Sequence, residues 1–429
     1  MTSTANTFTE LNLISPLLAR LNELDYQQPT PIQAKAIPEI LTGRDLIAGA
    51  NTGSGKTATF ALPILQQLFE KRVSSSVKGA KGNFVSALVL VPTRELARQV
   101  ADSIMSYSAH FNGDIKTLSV YGGVSVNKQM LALRGGVDIL VATPGRLLDL
   151  ISSNAVKLDK VSTLVLDEAD RMLSLGFTDE LDEILSLMPK QKQTLLFSAT
   201  FPEQVKSLTK ALLNDPLEVQ VQSAETSTLV QRVFTVNKGK KTAALAHLIK
   251  QHQWRQVLIF VNAKKACEHL ADKLSKRGIF VDVFHGDKGQ GARDKVLDGF
   301  KAGEIDVLIA TDIAARGLDI EKLPVVINFD LPRSPADYMH RIGRSGRAGE
   351  VGLAFSLIDL EDFHHFKVIE KKHKIRLERE EIEGFEMTDE VSDSPSALAK
   401  PMAKPEGTGK KKRKKQAAHE HDVWLNKQD

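Results

Sequence analysis

A chain of 429 residues is too long for one ordinary core, so two or three domains are expected. Its 42% apolar and 26% charged residues are those of a globular protein, and its longest apolar runs, such as VLIFV at 257–261, fall far short of a membrane span. The net charge of +4 is localised: residues 401–429 hold eight Lys or Arg against four Asp or Glu, which leaves the first 400 neutral, so polyanion binding by the body needs local patches.

The amino-terminal MTSTANTFTELNL has neither a basic nor an apolar leader region, which argues against a secretory signal. Cys267 is the single cysteine, so no intramolecular disulfide forms and a reducing compartment fits. Together these point to a cytoplasmic protein. Short β-branched runs then alternate with helical patterns. Strands are expected at 45–50, 86–91, 137–143, 163–168 and 194–199, with amphipathic helices at 94–109 and 178–188. Continuous apolar strands alternating with helices indicate a parallel sheet covered on both faces. A polar stretch at 222–229, QSAETSTL, reads as a linker. The pattern restarts with strands at 257–261, 280–285, 306–311 and 325–330, which gives a second α/β unit. The fold class is therefore α/β, with two doubly wound parallel-sheet domains in tandem. Their spans are 1–222 and 230–383 about a linker at 223–229. From 384 the composition shifts to Pro, Ser, Ala and Lys, as in a flexible basic tail.

ANTGSGKT, residues 50–57, follows the first strand and opens the helix KTATFALPILQQL. Its stretch Ala50, Asn51, Thr52, Gly53, Ser54 and Gly55 can wrap a phosphate with backbone N–H groups, and the helix N-terminus adds partial positive charge. Lys56 can reach the β- and γ-phosphates and the Thr57 hydroxyl can ligate Mg2+. Ala50 stands where the strict phosphate-loop pattern has glycine. The bland alternative is a glycine-rich turn.

LVLDEADRML, residues 164–173, puts Asp167, Glu168 and Asp170 at a strand's carboxyl end. At about 6 Å and an effective dielectric of about 20, each pair repels by roughly 3 kcal/mol. Alone, such a cluster is a solvated turn. Beside Lys56 and Thr57 it becomes a metal and water site, with Asp167 holding Mg2+ and Glu168 orienting and deprotonating the attacking water.

With DEAD at 167–170 and the loop at 50–57, the chain resembles the DEAD-box RNA helicases, and among them most the bacterial RhlE-like branch. The resemblance covers about residues 8–360. It implies tandem RecA-like domains, ATP and Mg2+ as cofactors, and RNA as partner. DYQQPTPIQ (25–33) is similar to the family's Q motif, which implies that Gln33 reads the adenine edge, Tyr26 packs on its ring and Phe8 is the upstream aromatic. Thr30 as N-cap with Pro31 in the first turn is an equally sound local reading, and the two are compatible. PTRELA (92–97), GG (122–123) and TPGR (143–146) resemble the motifs that grip the RNA backbone, implicating Arg94, Gly122, Gly123, Thr143, Pro144, Gly145 and Arg146. SAT (198–200) offers Ser198 and Thr200 as hydrogen-bond partners for Asp170, a coupling element that also takes in His340. HGDKGQGAR (285–293) and ATDIAARGLD (310–319) resemble further family motifs, which implies Arg293 and Thr311 on the RNA side and Gly317 and Asp319 on the nucleotide, Asp319 at its ribose. Gly289 stands where a better N-cap such as Ser is expected, a difference of a few tenths of a kcal/mol. HRIGRSGR (340–347) supplies the arginine fingers Arg344 and Arg347, which share one face if the segment is helical.

The activity implied is ATP-driven local opening of short RNA duplexes or remodelling of RNA–protein complexes, with little sequence preference. Ribosome precursors and RNA-decay machinery are the partners the branch suggests, with no membrane role. Two rivals stand beside it: an ATP-gated RNA clamp and a DNA helicase. GKKKRKKQ (409–416) reads as an RNA tether, against a solubilising tail. His419, Glu420, His421 and Trp424 read as solvated tail residues, and Cys267 as packing.

Overall fold

The computed structural model describes residues 6–49, 54–74, 82–111, 113–220, 229–315, 323–346 and 352–388. Strands β1 (Leu46–Gly49), β2 (Val85–Leu90), β3 (Thr117–Val120), β4 (Val137–Ala142), β5 (Thr163–Leu166), β6 (Gln193–Ser198) and β7 (Leu217–Gln220) form one parallel sheet in the order β3-β4-β2-β5-β6-β1-β7. The second series comprises β8 (Leu229–Thr235), β9 (Val257–Phe260), β10 (Val281–Phe284), β11 (Val307–Ala310), β12 (Val325–Asn328), β13 (Gly352–Ile358) and β14 (Arg379–Glu381). It forms a second parallel sheet, in the order β10-β11-β9-β12-β13-β8-β14.

Successive strand residues point to opposite faces, and here both faces are dry. In β2, Ala87 and Val89 join the apolar cluster on one side of the sheet, while Leu88 and Leu90 join that on the other. In β9, Val257 and Ile259 divide in the same way from Leu258 and Phe260. This burial of both faces is why the strands read as unbroken apolar runs.

All nine expected strands are present. Those that periodicity passed over are β3, β7, β8, β13 and β14, several of them short or half polar. Two boundaries differ from expectation. Leu229 is the first residue of β8 and not linker, whereas 221–228 lie outside the described residues. The second lobe also continues past residue 383. Phe385 packs 5.5 Å from the His247 ring, and the Thr388 N–H donates to Asn237 Oδ1 at 3.0 Å. The tail from 389 onward, with its basic run and Trp424, lies outside the described residues. Among the described residues, no helix is long and apolar enough to cross a membrane.

Candidate functional site

Among the described residues, Lys56, Thr57, Arg94, Thr143, Asp167, Glu168, Ser198 and Thr311 follow or end strands at the carboxyl edges of the two sheets. Of the phosphate loop, Ala50, Asn51, Thr52 and Gly53 lie outside the described residues. Its last turn is held from the helix Pro31–Leu41. The Thr30 hydroxyl donates to the Ser54 carbonyl at 2.8 Å, and Gln33 Nε2 donates to the Gly55 carbonyl at 3.2 Å. Gln33 Oε1 accepts the Thr30 N–H at 2.9 Å, which closes a capping box. Buried Gln33 thus serves its own helix and the loop together. Gly55 has φ +88°, and a Cβ there would lie 2.4 Å from Gln33 Nε2, so glycine is required twice over.

Lys56 opens the helix Lys56–Ser74, buried, with Thr57 beside it. Its Nζ stands 3.8 Å from Asp167 Oδ1. Asp167 leaves the end of β5 with 3% of its surface exposed. Burial pushes its carboxyl up, Lys56 opposes that rise, and Glu168 adds to it. A dry carboxylate facing a lysine at 3.8 Å, with the Thr57 hydroxyl on the neighbouring helix, is a hard oxygen donor set that fits Mg2+.

Glu168 has φ +53°, a left-handed conformation that costs a non-glycine residue roughly 1–2 kcal/mol and marks a site held by its surroundings. Arg171 Nη1 lies 2.5 Å from its Oε2. Burial raises the Glu168 carboxyl, but Arg171, Lys56 and Arg344 from the other lobe outweigh it and hold the group at about 2. Such a carboxylate is charged at neutral pH and suited to orienting water. Its expected role, orienting the attacking water and taking its proton, needs this charged form.

Asp170 is coupled to the segment after β6, though not as two parallel hydroxyl bonds. The Thr200 hydroxyl and N–H both donate to Asp170 Oδ2, at 2.6 and 2.9 Å. The Ser198 hydroxyl instead accepts the Asp170 N–H at 3.3 Å and donates to the Thr200 carbonyl at 2.6 Å. His340 comes from the second lobe to line the same inter-lobe cavity as Asp170, Thr200 and Arg344. Burial pulls its imidazole down, against Asp170 and Glu168.

The helix Asp337–Ile342 stops at Gly343, so Arg344 lies beyond it and not on its face. Arg347, Gly317 and Asp319 lie outside the described residues. Arg341, which sequence reasoning left without a role, is 2% exposed. It forks onto Asp312 at 2.6 and 2.7 Å and also donates to Asn328, the Asp330 carbonyl and Asn262. A buried guanidinium needs such pairing, and here it ties the finger segment to three strand ends. Its place three residues before Arg344 was the available signal.

On the expected RNA face, Arg94 opens the helix Arg94–Tyr107, capped by Thr93. Its guanidinium lies over Gly122 and Gly123. Gly123 has φ +82°, and a Cβ would sit 2.0 Å from Arg94 Nη1. Thr143, Pro144 and Gly145 form the N-terminus of the helix Pro144–Ser152, and Thr311 closes β11. Two arginines depart from expectation. Arg146 is buried and donates to the Val124 carbonyl at 3.1 Å and to Gln129 at 2.8 Å, so it braces a loop and presents no open guanidinium. Arg293 is also buried, over the Phe284 ring, and pairs across the lobes with Glu95 at 2.5 Å. A second pair crosses beside it, Arg98 to Asp294 at 2.8 Å. Glu95 lay unremarked inside PTRELA.

On the opposite side, Phe8 meets Tyr26 edge-on with ring centroids 6.1 Å apart, and the Tyr26 and Tyr107 hydroxyls are hydrogen-bonded at 2.9 Å.

Residues 30–208 match the DEAD/DEAH box helicase family and 240–349 the helicase conserved C-terminal domain. The chain is 40% identical over 383 residues to the ATP-dependent RNA helicase DeaD of Escherichia coli, covering 89% of this chain and 59% of that protein, so it spans less than two thirds of that relative. It is 39% identical over 375 residues to the DEAD-box ATP-dependent RNA helicase CshA of Bacillus subtilis, covering 87% of this chain and 74% of that one. Among solved structures it resembles S. cerevisiae Dbp5 bound to RNA and ADP BeF3, with a TM-score of 0.76 and 32% identity over 88% of this chain and 96% of the other.

Proposed function

The chain belongs to the DEAD/DEAH box helicases, and from that premise we propose that it is an RNA-stimulated ATPase that opens short RNA duplexes locally or remodels RNA–protein complexes. The observation that carries the reading is the cavity between the lobes, lined by Asp170, Arg171 and Thr200 from the first and by His340, Arg341 and Arg344 from the second. In this reading the hydrolytic site is completed by residues of both lobes.

In this reading Gln33 and Tyr26 hold the adenine, and Lys56 with the loop N–H groups neutralises the β- and γ-phosphates of ATP. Thr57 and Asp167 would hold Mg2+, which when bound supplies charge neutralisation at the phosphate oxygens. Glu168 orients the water, and Arg344, with Arg347, faces the charge that develops in the transition state. Arg94, the glycines at 122–123 and the helix N-terminus at Pro144 bind the backbone of one RNA strand, with little dependence on sequence. Closure is driven only as far as ATP and RNA prefer the closed arrangement; moving a population from 1:99 to 99:1 takes about 5.5 kcal/mol. The basic run 410–415 tethers RNA nonspecifically. Ribosome precursors or decay intermediates in the cytoplasm are the substrates this chemistry suits. The relatives DeaD and CshA support the family and not the RhlE-like branch.

Steady-state ATP hydrolysis with no nucleic acid, with RNA and with DNA, run beside strand displacement on a short RNA duplex, tests the proposal. RNA stimulation with displacement is expected. Stimulation by DNA alone, or nucleotide-dependent RNA binding without displacement, would replace it with a DNA helicase or a clamp.

A further inference from the structure

The helix Arg94–Tyr107 touches both ends of the site. Its fourteen residues span about 20 Å at 1.5 Å per residue. The first two turns carry Arg94 against Gly123, and Glu95 and Arg98 on their cross-lobe partners Arg293 and Asp294. The last turn reaches the base side. Tyr107 shares its hydroxyl with Tyr26, and Arg20 donates to the Ser106 carbonyl at 2.8 Å and to its hydroxyl at 3.1 Å. Just beyond the helix, His110 lies 3.0 Å from Glu23. Between the two ends Leu96, Ala97, Val100, Ala101 and Ile104 are buried in the first lobe's core, so the helix is held along its length. Tyr107 is 6% exposed, and a buried hydroxyl deprived of its partner is costly, so the position of Tyr26 and that of the helix constrain each other.

We propose that Tyr107 is a positioning residue that couples occupancy of the base pocket at Tyr26 to closure of the lobes on RNA, through the helix whose other end carries Arg94, Glu95 and Arg98. The inference rests on the helicase reading and adds to it a named route. A nucleotide base seated on Tyr26 fixes the Tyr26–Tyr107 pair. The pair fixes the carboxyl end of the helix, and the amino end then meets Arg293 and Asp294 in register. Because the coupling is reciprocal, RNA bound at the amino end tightens nucleotide binding by the same factor.

The test uses the full chain and a fluorescent, non-hydrolysable ATP analogue with Mg2+, titrated with and without saturating single-stranded oligouridylate. In the parent, RNA tightens the analogue. In Tyr107→Phe, which keeps the ring and its packing, that tightening factor falls about fivefold, the scale of one net hydrogen bond. Tyr26→Phe removes the same bond from the other side and gives the same loss, and the double variant loses no more than either single one. A residue that merely supported the fold would lower the unfolding temperature without moving this ratio. Parental tightening in either single variant overturns the inference. A parent whose analogue affinity ignores RNA overturns the helicase reading, and the coupling with it.

Discussion

The two lobes are built on one plan and differ in what hangs from it. Ranked by chain order within each lobe, both sheets run third, fourth, second, fifth, sixth, first, seventh. After each first strand the next α-helix opens on Lys-Thr: Lys56 and Thr57 in one lobe, Lys241 and Thr242 in the other. In the first lobe the buried lysine stands 3.8 Å from a single acid. In the second, Lys241 is equally buried but lies 3.1 Å from Asp359 and 2.6 Å from Asp362, on the segment after β13. That lysine is neutralised by its own lobe and has no charge left for a phosphate. The fifth strands diverge likewise. β5 releases Asp167 and Glu168 into the cleft, whereas Asp330, after β12, accepts the Asn262 N–H at 2.9 Å and serves the fold. On the proposed reading, a shared scaffold yields one nucleotide-binding lobe and one that contributes arginines, and the difference lies in a few strand-end side chains.

The largest effect that sharpens this contrast is at Glu168. Glu168→Gln keeps the shape and removes the charge, and ATP turnover is expected to fall by about 10²–10⁴, read as steady-state hydrolysis with RNA present. Unchanged turnover would mean that the strand-end acids of the first lobe are as structural as Asp330. The matching change in the second lobe, Lys241→Met, leaves Asp359 and Asp362 facing each other without a cation. It should lower unfolding stability by about 3 kcal/mol in a denaturant titration, with nucleotide affinity at the first-lobe site unaltered. Weaker nucleotide binding with stability intact would show that the second lysine is not spoken for.

Smaller effects are expected where the lobes meet. Arg293→Glu sets like charges against Glu95, and RNA-stimulated turnover should drop about tenfold, with partial recovery when Glu95→Arg is added. No recovery would mean that the pair does not form when the lobes close. Smallest of all is Cys267, buried in the second lobe. Burial pushes its thiol up to about 12 from an ordinary 9.0, so almost no thiolate exists at pH 8 in the folded chain. A maleimide should therefore label the native protein far more slowly than the denatured one.

The sheets were legible because both of their faces are dry, which turns each central strand into an apolar word such as ALVLV. The strands missed carry little of that signal. β14 is Arg-Glu-Glu and is set by its neighbour β8 and by the packing of Phe385, not by its own side chains. At the site, residue types were readable and their partners were not. Arg293 and Arg146 have the chemistry of phosphate ligands, yet both are buried and paired with protein groups, a matter of tertiary neighbours that spacing cannot reveal. The left-handed backbone of Glu168 and the end of the finger helix at Gly343 are equally products of context.

The central claim is that hydrolysis needs a guanidinium from the second lobe at a site whose base and phosphate contacts lie in the first. Arg344→Ala, assayed for both analogue affinity without RNA and ATP turnover with RNA, tests it most directly. The account predicts affinity within about twofold of the parent and turnover lower by about 10³–10⁵, the range for removal of an arginine finger. Turnover equal to the parent's would contradict it.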